Sequence, residues 1–387
     1  MLDFGIVTQP EYPPLPKPSD VSLSGRTFPD APPAGVVRAL LWLRSTVHRL
    51  ARALGPAELS VFEQTTAGAL LHVLAALIRT GVPEALRNGP LSAEQLAERT
   101  GLNADALFRT LRAVSGQGYF RLRRDGRFEH NSRSRVLAGG HSSRAREFLI
   151  YFSSGSNLAA WQSFQHALQT GRSPFDHVHG MNVWDWFEHH PDEREMFAHG
   201  MMGISVVDAP VIARLYPFRD VQSVCDVGGG RGTLLSELLL RHPHLRGVLY
   251  EGEGVLASAR PLLEARGVLD RVTLTPGSFF ERVPSGADAY LLKNILHDWD
   301  DERCVAILRN VRAALGEGGR VLIAESVLER YSQDPIAAPA DLQMMVACSD
   351  GRERSQAEYE NLLAKSGLKL ARRFSFPTIS VIEGVAI

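Results

Sequence analysis

The stretch DVGGGRGTLLSELLLRHPHLRGVLYEGEGVL, residues 226–256, decides the fold class of this chain of 387 residues. It starts at the acidic end of an apolar run, passes through a glycine cluster into a segment with helical periodicity, and ends with a second apolar run that closes on Glu251. A strand, a tight turn, a helix and another strand in this order predict a βαβ unit. In such a unit the glycine turn and Glu251 lie at the carboxyl edge of a parallel sheet, where these sheets bind their ligands.

The sequence that follows repeats the alternation of strands and helices. Apolar runs at RVTLTPGSFF, DAYLLKNIL and GRVLIAESVL are joined to the quoted stretch by the helix-periodic segments VLASARPLLEARGV and DDERCVAILRNVRAAL. Strands that alternate with helices form a parallel sheet with right-handed crossovers and helices on both faces. We therefore predict an α/β fold with a Rossmann-like domain over residues 218–387.

The glycine pattern distinguishes between three kinds of ligand. The dinucleotide fingerprint G-x-G-x-x-G is broken, because Thr233 stands where the third glycine belongs, and no lysine follows the glycines as a P-loop requires. What remains is an acid followed by spaced glycines: Asp226, Gly228, Gly230 and Gly232. The bare backbone of the turn allows a ligand to approach closely, and the carboxylate at the end of the second strand can accept hydrogen bonds from a ribose diol. Such a ligand carries a ribose but no pyrophosphate. S-adenosylmethionine fits that description.

Residues 36–140 form a second, mostly helical predicted domain. Two long amphipathic segments precede a helix that Ser92 can cap, a second helix at 104–113 and a hairpin around Asp125-Gly126. This order predicts a winged helix-turn-helix, which serves either DNA binding or dimerisation. We favour dimerisation, because the ligand-binding half of the chain calls for a function other than DNA binding. The apolar helices at 36–88 accordingly predict a homodimer.

An N-terminal arm, residues 1–35, carries eight prolines, which favour extended backbone over helix or sheet. It predicts a linker or a strap that Phe4, Tyr12 and Phe28 are able to attach to a partner subunit.

Residues 141–217 are mostly helical and unusually rich in aromatic, methionine and histidine side chains. Drug-sized ligands need largely apolar pockets. We therefore predict that this segment contributes to the pocket of a small-molecule acceptor through Trp161, Phe197, Met201 and Met202.

Composition narrows the class of protein further. The formal net charge is -1, charged residues make up 22% of the chain, and we expect no apolar run of the ~18 residues that span a bilayer. Neither a nucleic acid nor a membrane is predicted as a partner. The cysteines Cys225, Cys304 and Cys348 lack the spacing of a disulfide framework or a metal site, and we expect no secretory signal. We expect a cytoplasmic protein without a bound metal.

A further motif, LLKNILHDWDDERC at 291–304, places Lys293, His297 and Asp298 at the end of a predicted strand on the ligand edge. Together with the glycine loop, GSFFERVP, IAESVL and DGRERSQAEYENLLAKSGL, it makes the chain resemble the small-molecule O-methyltransferases typified by caffeic acid O-methyltransferase. The resemblance implies a class I methyltransferase domain with a helical dimerisation domain, S-adenosylmethionine as cofactor, and a hydroxyl of an aromatic or polyketide-type molecule as acceptor, as in secondary metabolism.

The resemblance also implies a role for individual residues. His297 would be the general base, and Glu251 would accept the ribose hydroxyls of the cofactor. The other implied contacts are Gly228 and Gly230 along the methionyl part of the cofactor, Asp226 as a further cofactor-binding residue, Ser278 and Phe279 beside the adenine, Lys293 at the cofactor's polar periphery, Glu325 and Glu353 as glutamates that hold the imidazole, and Asp298 near the acceptor.

These residue types suit the chemistry of methyl transfer. A phenol with a pKa of ~10 is a poor nucleophile, whereas a histidine with a pKa near ~6.5 can take its proton as the oxygen attacks a methyl group. A carboxylate on the far imidazole nitrogen fixes the tautomer and favours the imidazolium that forms. Either Glu325 or Glu353 can provide that carboxylate.

Two positions depart from the family's pattern. Glu251-Gly252-Glu253 replaces the usual Asp-Leu-Pro, and Ser278 replaces an aspartate before the adenine. A hydroxyl accepts a hydrogen bond more weakly than a carboxylate does. Two alternatives therefore stay open. One is a relative that keeps the cofactor but catalyses hydroxylation, decarboxylation or a pericyclic step, and the other is a winged-helix DNA-binding regulator.

Overall fold

The computed structural model describes residues 27–387, so Phe4 and Tyr12 of the arm lie outside the described part of the chain. The described residues form two compact units. The smaller comprises Ala51–Leu158 and Glu195–Gly203, and the larger comprises residues 27–50, Ala159–Arg194 and Ile204–Ile387. No single cut in the sequence separates them, and the proposed domain limits near residues 140 and 217 stay a prediction.

Helices and strands follow one another along the described residues in this order. The helices are α1 (Ala34–Ala53), α2 (Ala57–Arg79), α3 (Val82–Ala85), α4 (Ala93–Thr100), α5 (Ala104–Gly116), α6 (Ser132–Arg135), α7 (Ala145–Phe152), α8 (Gly155–Gln162), α9 (Phe164–Thr170), α10 (Pro174–His179), α11 (Val183–His189), α12 (Pro191–Leu215), α13 (Thr233–Arg241), α14 (Glu253–Ala265), α15 (Asp301–Ala314), α16 (Ala337–Ala347) and α17 (Gln356–Lys365). The strands are β1 (Arg121–Leu122), β2 (Phe128–Glu129), β3 (Ser223–Val227), β4 (Arg246–Glu251), β5 (Val272–Pro276), β6 (Ala289–Lys293), β7 (Arg320–Glu325), β8 (Leu368–Ser375) and β9 (Ser380–Ala386).

A seven-stranded sheet with the order β5-β4-β3-β6-β7-β9-β8 organises the larger unit. The strands from β5 to β7 are parallel, whereas β9 runs antiparallel to both β7 and β8. The predicted Rossmann-like sheet is confirmed. Because β4 and β6 lie on opposite sides of β3, the strand order reverses at β3, and its carboxyl end is where such sheets hold a ligand.

The smaller unit confirms a mostly helical N-terminal domain. Ser92 begins α4 with a capping box that includes Gln95, and the Asn103 side chain accepts a hydrogen bond from an N–H of the first turn of α5. These caps satisfy N–H groups that have no partner inside the helix. The antiparallel pair β1 and β2 forms the wing that follows the two helices.

Helices α1 and α2 expose much of their apolar surface. α1 buries none of its residues, and Trp42 and Phe62 are 62% and 68% exposed. Exposed apolar surface of this extent marks an interaction site. By length and composition, α2 and α12 are also able to cross a membrane, which corrects the expectation that no apolar run is long enough. Helices of a core or an interface meet the same criterion, and α12 is mostly buried.

Phe28 attaches the start of the described chain to α13 of its own subunit, which corrects the expected contact with a partner. Its side chain is 6% exposed, and the Arg266 guanidinium lies 4.0 Å from the centroid of its ring. Its backbone N–H donates to both carboxylate oxygens of Glu237, at 3.1 and 3.2 Å, and its carbonyl accepts from Arg241 at 2.8 Å. Glu237 is fully buried but pairs with both arginines, as a buried charge requires.

Candidate active site

The glycine turn leaves bare backbone at the end of β3. Gly228 and Gly230 have φ of 69° and 55°, a conformation that L side chains rarely adopt. A Cβ added at Gly228 would lie 2.6 Å from Cδ1 of Ile295, whereas a Cβ at Gly230 would meet no atom within 4 Å. The turn is therefore tightly packed at Gly228 and open at Gly230, where a ligand can approach the backbone.

Glu251, the last residue of β4, folds its side chain over this turn. Its Oε2 accepts a hydrogen bond from the Gly230 N–H at 3.0 Å, and its Oε1 accepts one from the Gly252 N–H at 2.8 Å. Burial raises the pKa of the carboxyl group, and the two N–H donors oppose that rise. The carboxylate thus lies beside the open side of Gly230, a place that suits the expected contact with a ribose.

Asp226, Lys293 and Asp208 form a mostly acidic group with little exposure to solvent. Asp208 was not predicted from the sequence. Asp226 is 1% exposed, and its Oδ2 has no hydrogen-bond partner in the described structure. Burial raises the pKa of Asp226 to about 7, although Lys293 lowers it. The Lys293 ammonium lies 3.7 Å from Oδ2 of Asp208 on α12. No pattern in the helical segment around Asp208 marks it as a site residue, because its partner is distant in sequence.

Ser278 and Phe279 follow β5 at the same edge of the sheet. Cε1 of Phe279 lies 3.4 Å from the position that a Cβ would take at Gly228, so the ring borders the glycine turn. The amide of Asn310 donates to the Phe279 carbonyl at 2.9 Å and holds this segment in place. The Ser278 hydroxyl accepts a hydrogen bond from the Phe280 N–H at 3.3 Å. Part of the hydrogen-bonding capacity of Ser278 is therefore used within its own turn.

His297 lies on the short turn Leu296–Asp298 that follows β6. Its Nδ1 is 2.9 Å from Oε1 of Glu353, and its Nε2 is 3.6 Å from Oδ1 of Asp298. A carboxylate at Nδ1 favours the tautomer that carries its proton there. Nε2 is then the nitrogen that can exchange a proton with a ligand.

Three carboxylates act on the His297 imidazole. Burial lowers the pKa of His297, but Asp298, Glu353 and Glu325 together outweigh burial and raise it above the usual range of a histidine. Burial in turn raises the pKa of Asp298 to about 6. The imidazole therefore holds a proton firmly, and a positive charge brought next to it would favour its neutral form.

Glu325 occupies a different position from Glu353. One of its oxygens accepts hydrogen bonds from the N–H groups of Ile295 and Leu296, at 3.0 and 2.6 Å, and the other accepts one from the hydroxyl of Tyr359. Of the two glutamates that the sequence left as candidates, Glu353 makes the hydrogen bond to the imidazole. Glu325 instead holds the backbone that carries His297.

The predicted acceptor residues fall in both units. Trp161 belongs to the larger unit, where its Nε1 donates to Oε1 of Gln343 at 2.9 Å. Phe197, Met201 and Met202 belong to the smaller unit, in which Phe197 packs edge-to-face on Tyr151 and Met202 is buried. Their contact with an acceptor stays a prediction. Within residues 27–387, no three histidine, cysteine or carboxylate side chains are grouped so as to hold a metal.

Comparison with known proteins identifies related sequences and structures. Residues 161–369 match the O-methyltransferase domain family, and residues 62–140 match the O-methyltransferase dimerisation domain family. The mitomycin biosynthesis 6-O-methyltransferase of Streptomyces lavendulae is 37% identical over 298 residues, which cover 76% of this chain and 84% of that protein.

Two solved structures extend the likeness to three dimensions. The mitomycin 7-O-methyltransferase MmcR has a TM-score of 0.79 and 34% identity, and the match covers 88% of this chain and 100% of that one. The O-methyltransferase NcsB1 of neocarzinostatin biosynthesis, solved with S-adenosylmethionine and 2-hydroxy-5-methyl naphthoic acid, has a TM-score of 0.70 and 30% identity, with 82% and 96% covered.

Proposed function

Because the chain belongs to the S-adenosylmethionine-dependent O-methyltransferases, we propose that it methylates a hydroxyl of an aromatic or polyketide-type small molecule, with His297 as the general base. The observation that carries the proposal is the hydrogen bond between His297 and Glu353, which leaves Nε2 available at the carboxyl edge of the sheet. NcsB1, solved with an aromatic acid, supports an aromatic acceptor.

The residues at the glycine turn fit the cofactor of this family. The open backbone at Gly230, the carboxylate of Glu251 beside it, and the unpartnered oxygen of Asp226 offer groups for a ribose and a charged amino acid moiety. Phe279 supplies an apolar ring for a flat base. When bound, S-adenosylmethionine supplies an electrophilic methyl group on a sulfonium.

The side chains around His297 would move and hold the proton of the acceptor. Nε2 of His297 takes the proton from the acceptor hydroxyl as the hydroxyl oxygen attacks the methyl group. The Glu353 carboxylate stabilises the imidazolium that forms. Glu325 keeps the turn of His297 fixed by binding two of its N–H groups. The His297 side chain is only 13% exposed, which limits the access of water to its hydrogen bonds.

The first domain supports a homodimer as the working form. Its match to a dimerisation domain covers most of the winged module, and this favours dimerisation over the DNA-binding alternative. Exposed apolar side chains on α1 and α2 supply surface for a second copy. Cytoplasmic location and the absence of a nucleic acid or membrane partner remain part of the proposal.

The experiment that tests the proposal follows a labelled methyl group. The protein is incubated with methyl-labelled S-adenosylmethionine and a set of hydroxynaphthoates, aminophenols and polyketide phenols, and the label is followed by mass spectrometry. We expect label in an O-methyl product of at least one acceptor. Conversion of an acceptor without transfer of label would instead favour the alternative in which the cofactor only supports hydroxylation, decarboxylation or a pericyclic step.

A further inference from the structure

The Lys293 ammonium lies near two carboxylates of the larger unit: it pairs with Asp208, and it acts electrostatically on Asp226 at the end of β3. Lys293 pairs with Asp208 at 3.7 Å, and their side chains are 9% and 10% exposed. Asp226 has an unpartnered buried oxygen, and Glu251 binds the Gly230 N–H. If all four groups are ionised, the carboxylates exceed the ammonium by two negative charges. Asp208 has no role in the methyl transfer proposed above.

We propose that Asp208 is a positioning residue that neutralises Lys293 and thereby raises the affinity of this site for positively charged S-adenosylmethionine relative to its affinity for the neutral product, S-adenosylhomocysteine. The inference rests on the cofactor of the proposed function and not on the identity of the acceptor.

The two ligands differ only in the methyl group and in the charge that goes with it. S-adenosylmethionine carries a sulfonium, an ammonium and a carboxylate, and therefore one net positive charge, whereas S-adenosylhomocysteine is neutral overall. Charges interact more strongly in a buried site than in water. If Asp208 is neutral, the full charge of Lys293 acts on the bound ligand, and it opposes only the ligand that carries the sulfonium.

The protonation of the acids agrees with this preference. Burial raises the pKa of Asp208, of Glu251 and of Asp226, so the acids bind protons more readily than usual. The sulfonium is a positive charge that only S-adenosylmethionine adds, and it stabilises the ionised forms of these acids further. Binding of S-adenosylmethionine should therefore release protons, and binding of S-adenosylhomocysteine should release fewer.

The test measures the dissociation constants of both ligands by isothermal titration calorimetry on the full chain, in two buffers of different ionisation enthalpy. For Asp208→Asn we expect S-adenosylmethionine to bind about tenfold more weakly, and S-adenosylhomocysteine to change by less than about threefold. Asp208→Glu should keep the wild-type ratio. Lys293→Met should move the ratio in the opposite direction, which keeps the test decisive even if Asp208→Asn folds poorly.

Glu383→Gln is the matched control. Glu383 is a buried carboxylate that pairs with Arg372 at 2.8 Å on the antiparallel edge of the sheet, three strands away from β3, and its loss should leave the ratio unchanged. Equal weakening of both ligands in Asp208→Asn would mean that Asp208 only supports the fold, and it would overturn the inference. A wild-type protein that binds neither ligand would overturn the proposed function as well.

Discussion

Replacing Glu353 by glutamine should lower the pKa of His297 and slow turnover without displacing the ring. The Glu353 carboxylate lies 2.9 Å from Nδ1, its side chain is 2% exposed, and an amide oxygen in its place can still accept the Nδ1 hydrogen bond. A hydrogen bond to a charged group contributes about 1.5–3 kcal/mol. At 1.36 kcal/mol for each pKa unit, losing the charge should lower the pKa of His297 by about 1–2 units.

The sign of the effect on the pH profile follows from the role of the imidazole. A general base must be neutral, so turnover rises as the pH passes upward through the pKa of His297. In Glu353→Gln this acidic limb should move to lower pH by about 1–2 units. The plateau should fall by about 10- to 100-fold, because the imidazolium formed during the reaction loses the same stabilisation.

The assay is the pH dependence of kcat with methyl-labelled cofactor, combined with an NMR titration of labelled histidine. Asp300→Asn serves as the control. The Asp300 carboxylate is only three residues from His297 in sequence but caps α15 through the Arg303 N–H at 2.7 Å. It should leave the limb in place. A Glu353→Gln enzyme whose acidic limb and plateau match the wild type would refute the assignment of Glu353 as the partner of a catalytic imidazole.

Three further predictions concern separate parts of the larger unit. His297→Ala should reduce turnover by about 10²- to 10⁴-fold with little change in S-adenosylmethionine affinity, and wild-type conversion by this variant would exclude a general base at that position. Ser278→Asp should tighten S-adenosylmethionine binding by about 1–2 kcal/mol in calorimetry, because a carboxylate can keep the Phe280 N–H and still accept from the adenine; unchanged affinity would place Ser278 away from the base. Phe28→Ala should lower the free energy of unfolding by about 3 kcal/mol in urea, and a loss below about 1 kcal/mol would show that the strap adds little to stability.

The sheet could be predicted because its parallel strands are short apolar runs that alternate with segments of helical periodicity. Four of the five residues of β3 are buried, and Gly228, Gly230 and Glu251 fall at its carboxyl edge as the spacing requires. All the residues that indicate such a βαβ unit lie within about thirty consecutive positions of the sequence. The cap at Ser92 was predictable for the same reason, since a helix cap depends on neighbours within one turn.

Pairings between distant elements could not be predicted in this way. Neither Glu353 nor Glu325 could be preferred as the partner of the imidazole from sequence alone, because the choice depends on how the segment before α17 packs against the turn of His297. Lys293 and Asp208 are 85 residues apart in the sequence, and no periodicity links them. The same holds for Phe28 and Glu237, whose contact forms only when the strap lies across α13.

Both cationic groups near the carboxyl end of β6 meet an acid that comes from another element. Lys293 meets Asp208 from α12, and His297 meets Glu353 from the segment before α17. Each positive charge is therefore paired with a carboxylate. In the proposed function, a sulfonium bound beside them would add a positive charge, and that charge would oppose the imidazolium form of His297. The charge that favours binding of the cofactor would thus also favour the neutral imidazole that can accept the proton of a hydroxyl, so cofactor binding and readiness of the base are coupled through the same electrostatics.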